Sequence, residues 1–267
     1  MNEAKIKELK DNKNVLIQEK KATVKKADAV ISYYEPTTDK GIATKTLKAE
    51  DQTFDKLKVK IVINTTNLLD SHSDVHMKGI WNKSLKENKN ILHVQEHALK
   101  FDHIISDEVK ASAQDMLWSE IGEKYQGSTQ ALIFDSVIDM NRNKFMFDQY
   151  LKGYVKQHSV GMRYVKIFLC INSEDKYYAE EKEDWDKYIG NVANIDAVNE
   201  QGYFWAVTEA KIVEGSAVVL GSNSATPTIN TEPSKHDTQE QPLKDTVTIE
   251  QVKQELKKQF KNLKLKS

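Results

Sequence analysis

The stretch ILHVQEHALKFDHI, residues 91–104, holds three of the chain's seven histidines and admits two readings that lead to different folds. Read as a helix, it sets His93 and His97 one turn apart with Glu96 beside them, the H-x-x-E-H frame of one class of zinc peptidase. Read as a strand, it puts Ile91, His93, Gln95 and His97 on one face by period-two alternation. The preceding KENKN (86–90) is a loop signal, and the alternation suits a strand at least as well as a helix. A zinc site also needs a third ligand downstream. Glu174 lies at a usable chain distance, but its surroundings, INSEDK (171–176), read as a turn. The strand reading is preferred, with a zinc peptidase on His93, Glu96 and His97 as the alternative.

Outward from this stretch, strands alternate with a few helices. LKVKIVIN (57–64) alternates like a half-buried strand, and TQALIFDSVIDM (129–140) reads as a long, largely buried one. HSVGMRYVKIFLCIN (158–172) is another. YFWAVTEAKIVEGSAVVLG (203–221) reads as two strand-like runs around Glu214-Gly215. KGIWNKSLKEN (78–88) spaces Ile80, Trp81 and Leu85 for one helical face, and NKFMFDQYLKGYVKQ (143–157) does so with Phe147, Leu151, Tyr154 and Val155. The acidic EEKEDWDKYIGNVANIDAVNEQG (180–202) is expected to be helical, with Gly202 near its end. The pattern implies an α+β barrel or half-barrel over residues 54–225.

The two ends differ from this middle. Charged residues make up 30% of the 267-residue chain and the A/V/I/L/M/F/W/Y/C set 39%, with the excess polarity concentrated at both termini. Residues 1–53 form a charged extension and linker, with weak helical periodicity at Ile6, Leu9, Val15 and Leu16. Residues 226–247 are rich in Ser, Thr, Pro and Gln, bury almost nothing, and are expected to be disordered. Residues 248–267 then read as a basic amphipathic helix. Thr248 and Gln251 suit a capping box, and Ile249, Val252, Leu256, Phe260 and Leu263 form one stripe. A helix on such a tether is suited to binding a partner. The formal net charge of −1 excludes coating of nucleic acid by bulk charge. No segment has the roughly 18 apolar residues of a membrane span, and the N-terminus does not read as a signal peptide. Cys170, the only cysteine, cannot form an intrachain disulfide or a C-x-x-C metal site and reads as an inert core thiol in a reducing environment.

Serine chemistry competes with zinc. A serine nucleophile needs a general base within reach, and the base needs an orienting partner. Ser159 opens a strand after a helix. The small Val160-Gly161 behind it leaves room for a substrate backbone, with amides suited to an oxyanion. His158 cannot be its base, because chain neighbours in a strand point to opposite faces. His72 and His76 have i, i+4 spacing, but Ser73, Asp74 and Gly79 make their segment a solvated loop.

Four stretches taken in order, DSHSDVHMKGIWNKSL (70–85), ILHVQEHALKFDHIIS (91–106), LKGYVKQHSVGMRYV (151–165) and KIVEGSAVVLGSNSAT (211–226), resemble successive blocks of the tailed-phage prohead (capsid maturation) serine protease family. Asp74, Gly79, Ile80 and Trp81 fit the first block, and His97 fits as the histidine of the second. Ser159, Gly161 and Met162 fit the third, with His158 replacing the usual apolar residue. Glu214, Ser216, Asn223 and Ala225 fit the fourth, without the proline common there. The resemblance implies a mostly antiparallel β-barrel surrounded by a few helices, related in fold to the herpesvirus assemblin proteases. It implies Ser159 as nucleophile, His97 as general base and Glu214 as third member, with Asp135 and His72 in reserve. It implies no cofactor and no metal. Phage scaffold and major capsid proteins are the implied partners, self-association is open, and the implied location is the host cytoplasm within the assembling procapsid. A non-enzymatic scaffolding protein that keeps the fold is the second alternative.

Overall fold

β1 (Lys56–Thr65) realises the alternation read in LKVKIVIN: Leu57, Val59, Ile61 and Ile63 are buried while Lys58 is exposed. The computed structural model containing it describes residues 3–25, 54–88 and 90–234. The expected helix at 248–267 and the linker residues from 235 onward lie outside these. β1 is an inner strand of a four-stranded antiparallel sheet in the order β5-β6-β1-β9, with β5 (Val109–Leu117), β6 (Ser128–Asp139) and β9 (Thr228–Ser234). β9 corrects the expectation of disorder from residue 226. TINTEPS buries little, but its backbone completes the free edge of β1, and the folded unit runs past 225. Pro233, which has no N–H to give, is tolerated because this is an edge strand.

The second sheet is organised by β8 (Tyr203–Val218), one continuous strand where two runs were expected. β7 (Gln157–Ile171) pairs antiparallel along one of its edges. The other edge is shared by two short parallel partners, β2 (Asp74–His76) at Trp205–Val207 and β3 (Leu92–Gln95) at Glu214–Ala217. β4 (Ile104–Ser106) adds antiparallel to β3. Between β2 and β3 this edge is capped by the segment around α3 (Asn82–Glu87): the Ile212 amide donates to Ser84 Oγ (2.9 Å) and the Ala210 amide to the Ile80 carbonyl (3.1 Å). The α+β class and the antiparallel character hold. Among the described residues, however, the strands form two sheets without barrel closure.

The core lies between the sheets, where Ile61, Ile63, Leu132 and Phe134 cluster with Val160, Met162, Ile212 and Ala217. α4 (Lys144–Leu151) closes it with Phe147, Tyr150 and Leu151. It starts where Asn143 Oδ1 accepts the Met146 amide (3.0 Å). It ends at Leu151, short of the expected 157, because Gly153 turns left-handed at φ 67°. The acidic helix expected over 180–202 divides into α5 (Ala179–Tyr188) and α6 (Ile195–Gln201), with Gly202 as the left-handed C-cap (φ 79°).

The N-terminal extension is not loose over its described part. α1 (Glu3–Asp11) buries Ile6, and α2 (Lys13–Ala22) follows directly. Lys10 and Lys13 both reach the buried Glu181 of α5 (2.7 and 2.6 Å). Their ammonium groups outweigh the burial and hold that carboxyl below its usual range. Lys20 pairs with the buried Asp74 and lies over the Trp205 ring, and Lys25 exchanges two main-chain hydrogen bonds with Met162. Among the described residues no helix is long and apolar enough to cross a membrane.

Candidate active site

Cross-strand partners in a sheet share a face, so the pairing of β7 with β8 sorts the side chains. Ser159 lies opposite Ser216 and Gly161 opposite Glu214, on one face. His158 lies opposite Ala217 and Val160 opposite Gly215, on the other face, toward the core. The sequence argument that His158 and Ser159 point apart therefore holds.

His97 joins the Ser159 face from the opposite edge of β8. β3 ends at Gln95, and Glu96 and His97 both take positive φ, 48° and 57°. Such a pair of left-handed non-glycine residues is costly. It is held by the Glu96 amide donating to the Ala217 carbonyl (2.9 Å) and the His97 amide to Ser216 Oγ (3.0 Å). The turn swings the imidazole over β8, where Nδ1 stands 2.6 Å from Glu214 Oε1. Ser216 Oγ donates to the other carboxylate oxygen, Oε2, at 2.6 Å. The cluster is buried, with His97 and Glu214 side chains 5% and 3% exposed. A carboxylate only accepts, so the imidazole proton sits on Nδ1 and Nε2 of the neutral ring carries the lone pair.

Gly161 makes this arrangement possible. A Cβ there would lie 1.9 Å from Glu214 Oε1 and 2.7 Å from its Cδ. A carboxylate can lie flat across β7 only beside a residue without a side chain. The structure thus brings Ser159, His97 and Glu214 to one face of one sheet, from three strand segments. Sequence reasoning gave Ser216 a place in a motif but no role, and gave Gly161 the role of leaving room for a substrate backbone. The roles seen here, bracing and admitting Glu214, depend on cross-strand register. Of the two amides suggested for an oxyanion, Gly161 is otherwise engaged. Met162 turns both its main-chain groups to Lys25, so its neighbour Gly161 turns toward β8.

The other candidates are placed elsewhere. His93 and Glu96 do not share a helix with His97, since residues 92–95 are strand and the chain then turns. Both His93 nitrogens are occupied inside the core, Nδ1 by Ser136 Oγ (3.1 Å) and Nε2 by Tyr150 OH (3.0 Å). Glu174 is exposed and pairs with Lys182 (3.3 Å). The zinc frame is a coincidence of spacing, and among the described residues no group of three or more His, Cys, Asp or Glu is arranged to hold a metal. Asp135 stands on the outer face of the other sheet, opposite Lys60 and Lys110. It lines a hollow of about 640 Å³ there that contains none of Ser159, His97 or Glu214. His72 is in the turn after Asp70, away from Glu214. His76, expected in a solvated loop, is buried in β2 between Asn64 Oδ1 (2.9 Å) and Tyr164 OH (3.1 Å). Burial lowers its pKa to about 4. Asp70 is driven the other way, to about 8, by burial and the nearby Asp74 charge. The Cys170 thiol is buried and shifted strongly upward by desolvation, an inert thiol as expected.

Compared with protein-family models, curated proteins and solved structures, the chain matches none.

Proposed function

We propose that this chain is a serine endopeptidase of the prohead-maturation kind, with Ser159 as nucleophile, His97 as general base and Glu214 as the carboxylate that orients the base. The observation that carries the reading is the buried contact of Glu214 Oε1 with His97 Nδ1 on the face that also presents Ser159. With Nδ1 donating to Glu214, the lone pair of the ring falls on Nε2, the nitrogen that must take the serine proton. Ser159 Oγ attacks the peptide carbonyl carbon and passes its proton to Nε2. The tetrahedral adduct collapses as the imidazolium protonates the leaving amine, giving an ester on Ser159. Water, deprotonated by His97, then releases the acid and frees the serine. Glu214 stays ionised and holds the ring as it becomes positive. No cofactor or metal enters these steps. In such an enzyme the two sheets would be the halves of the expected barrel. Scaffold and coat proteins would be the substrates, and the basic segment at 248–267 would be the address for the procapsid.

The test is hydrolysis of capsid and scaffold substrates together with labelling by a fluorophosphonate. Ser159→Ala and His97→Ala should each lose about 10³-fold or more, and the double variant should be little worse, because members of one unit are not additive. Near-full activity in either single variant overturns the assignment.

A further inference from the structure

The face of β7, β8 and β3 opposite the candidate site carries a second buried polar chain. Thr226 O, His158, Tyr150, His93 and Ser136 are joined end to end: His158 Nδ1 to the Thr226 carbonyl (2.9 Å), His158 Nε2 to Tyr150 OH (2.9 Å), Tyr150 OH to His93 Nε2 (3.0 Å), and His93 Nδ1 to Ser136 Oγ (3.1 Å). All of these side chains are buried. Burial drives His158 to a pKa of about 4 and His93 well below its usual value, so both are neutral near pH 7.

The direction of the chain follows from its end. A carbonyl only accepts, so His158 carries its proton on Nδ1, and its Nε2 must accept the Tyr150 hydroxyl proton. Tyr150 has one proton to give, so its oxygen accepts from His93 Nε2–H. His93 Nδ1 is then a lone pair and accepts from the Ser136 hydroxyl. Both nitrogens of each ring and the Tyr150 and Ser136 hydroxyl protons are used, and no reversal is open while both rings are neutral. Thr226 also takes the His158 main-chain N–H on its Oγ1 (3.1 Å), clamping that residue by backbone and side chain together.

Position gives the chain its meaning. His158 directly precedes Ser159 on β7, and His93 starts the four-residue approach to His97 on β3. β7 and β3 pair with opposite edges of β8 and not with each other. The Tyr150 hydroxyl bridges them through His158 and His93, which lie opposite Ala217 and Gly215 of β8. We infer that Tyr150 is a positioning residue for the proposed hydrolysis: through His158 and His93 it fixes the spacing between the strand that carries Ser159 and the strand that leads to His97. The inference rests on the roles given to Ser159 and His97.

Tyr150→Phe keeps the buried ring and removes only the hydroxyl. It should lower kcat about 10- to 100-fold with KM within about twofold, as expected when catalytic groups shift by a fraction of an ångström. Nitrogen-15 NMR of the native chain should find His158 protonated on Nδ1 and His93 on Nε2, and the His97 ring signals should move in Tyr150→Phe. Unchanged kcat and unchanged His97 signals in that variant overturn the inference, as does a native His93 protonated on Nδ1. Should Tyr150→Phe fail to fold, His93→Gln and His93→Leu replace it. The amide of Gln can still donate to Tyr150, so it should keep most of the turnover that Leu loses, and equal turnover in the two overturns the inference. A chain with no peptidase activity, in which Tyr150→Phe still moves the His97 signals, overturns the proposed hydrolysis and leaves the positioning intact.

Discussion

The two faces of the same three strands, β7, β8 and β3, show how one pleat can serve opposite purposes. One face holds His97 with Glu214, an imidazole and a carboxylate in direct hydrogen-bond contact. The other holds His93 and His158, equally buried but surrounded by hydroxyls, a carbonyl and apolar side chains. Both faces contain histidine, so residue type does not decide the difference. What differs is the counter-charge. A carboxylate beside the ring stabilises an imidazolium, whereas burial without a carboxylate keeps His93 and His158 neutral, the Thr226 carbonyl pulling His158 the other way but not far enough. A sheet with alternating side chains lets these settings lie a strand's thickness apart without mixing.

Two glycines test that separation most directly. Gly161 opens the site face and Gly215 the core face, at neighbouring positions of β7 and β8. Gly161→Ala should cost about 10²–10⁴-fold in turnover, because its methyl group displaces the Glu214 carboxylate and frees the ring of His97. Steady-state kinetics on the folded variant measures this, and an active Gly161→Ala would break the assignment of Glu214. Gly215→Ala should act on the other ledger. Its Cβ would fall 2.3 Å from Phe134 Cε2 and 3.0 Å from Ile63 Cδ1, so the sheets must part. Destabilisation of about 1–3 kcal/mol is expected from overpacking, read by chemical denaturation. Turnover per folded molecule should stay within a few-fold. If the two variants exchanged phenotypes, the two faces would have been assigned the wrong way round.

The smallest expected effect is a proton count. His76, His93 and His158 have folded pKa values below the ordinary 6.5, so each binds a proton on unfolding, and the stability it contributes is lost as pH falls from 6.5 toward 4. Asp70 has the opposite sign. Raised to about 8, it keeps its proton when folded and releases it on unfolding, so its stability is lost as pH rises from 3.8 toward 8. Near pH 5 the histidines take up about three protons and Asp70 returns about one, leaving roughly two taken up. The slope of unfolding free energy against pH checks this. Stability that is flat or rising from pH 6.5 to 4.5 would mean that the core histidines are charged or that water reaches them.

The long strands were legible because their apolar alternation or continuous apolar runs survive in one dimension: β1, β6 and β7 fall where the pattern put them, and β8 covers the span expected of two runs. β2 and β9 were not. DVH is three residues long and TINTEPS is polar, and each is a strand because a neighbouring edge needs a partner. The same limit applies to the site. Ser159, His97 and Glu214 could be named from the order of four motifs. That Gly161 must lack a side chain, that Ser216 braces both Glu214 and the His97 amide, and that Tyr150 reaches two histidines all depend on which residue lies opposite which. Register is set by the whole sheet, and no local stretch records it. The docked α1 and α2 were missed for a related reason: Ile6 is their one fully buried apolar residue, and the rest of the attachment is lysines meeting Glu181 and Asp74.

The central place of β8 sets a clock. Among the described residues β7 and β3 never pair with each other; what brings Ser159 toward His97 is a strand between them that is synthesised after both. While the chain is still on the ribosome and residues 203–218 have not emerged, Ser159 and His97 have no shared scaffold, and Glu214 is not in place between them. Pairings so distant in sequence form late in any case, since loop closure must precede the contacts that reward it. If the proposed peptidase is wired in this way, it would be inert as a nascent chain and as any N-terminal fragment that ends before β8, and would arm itself only when nearly all of its fold is complete.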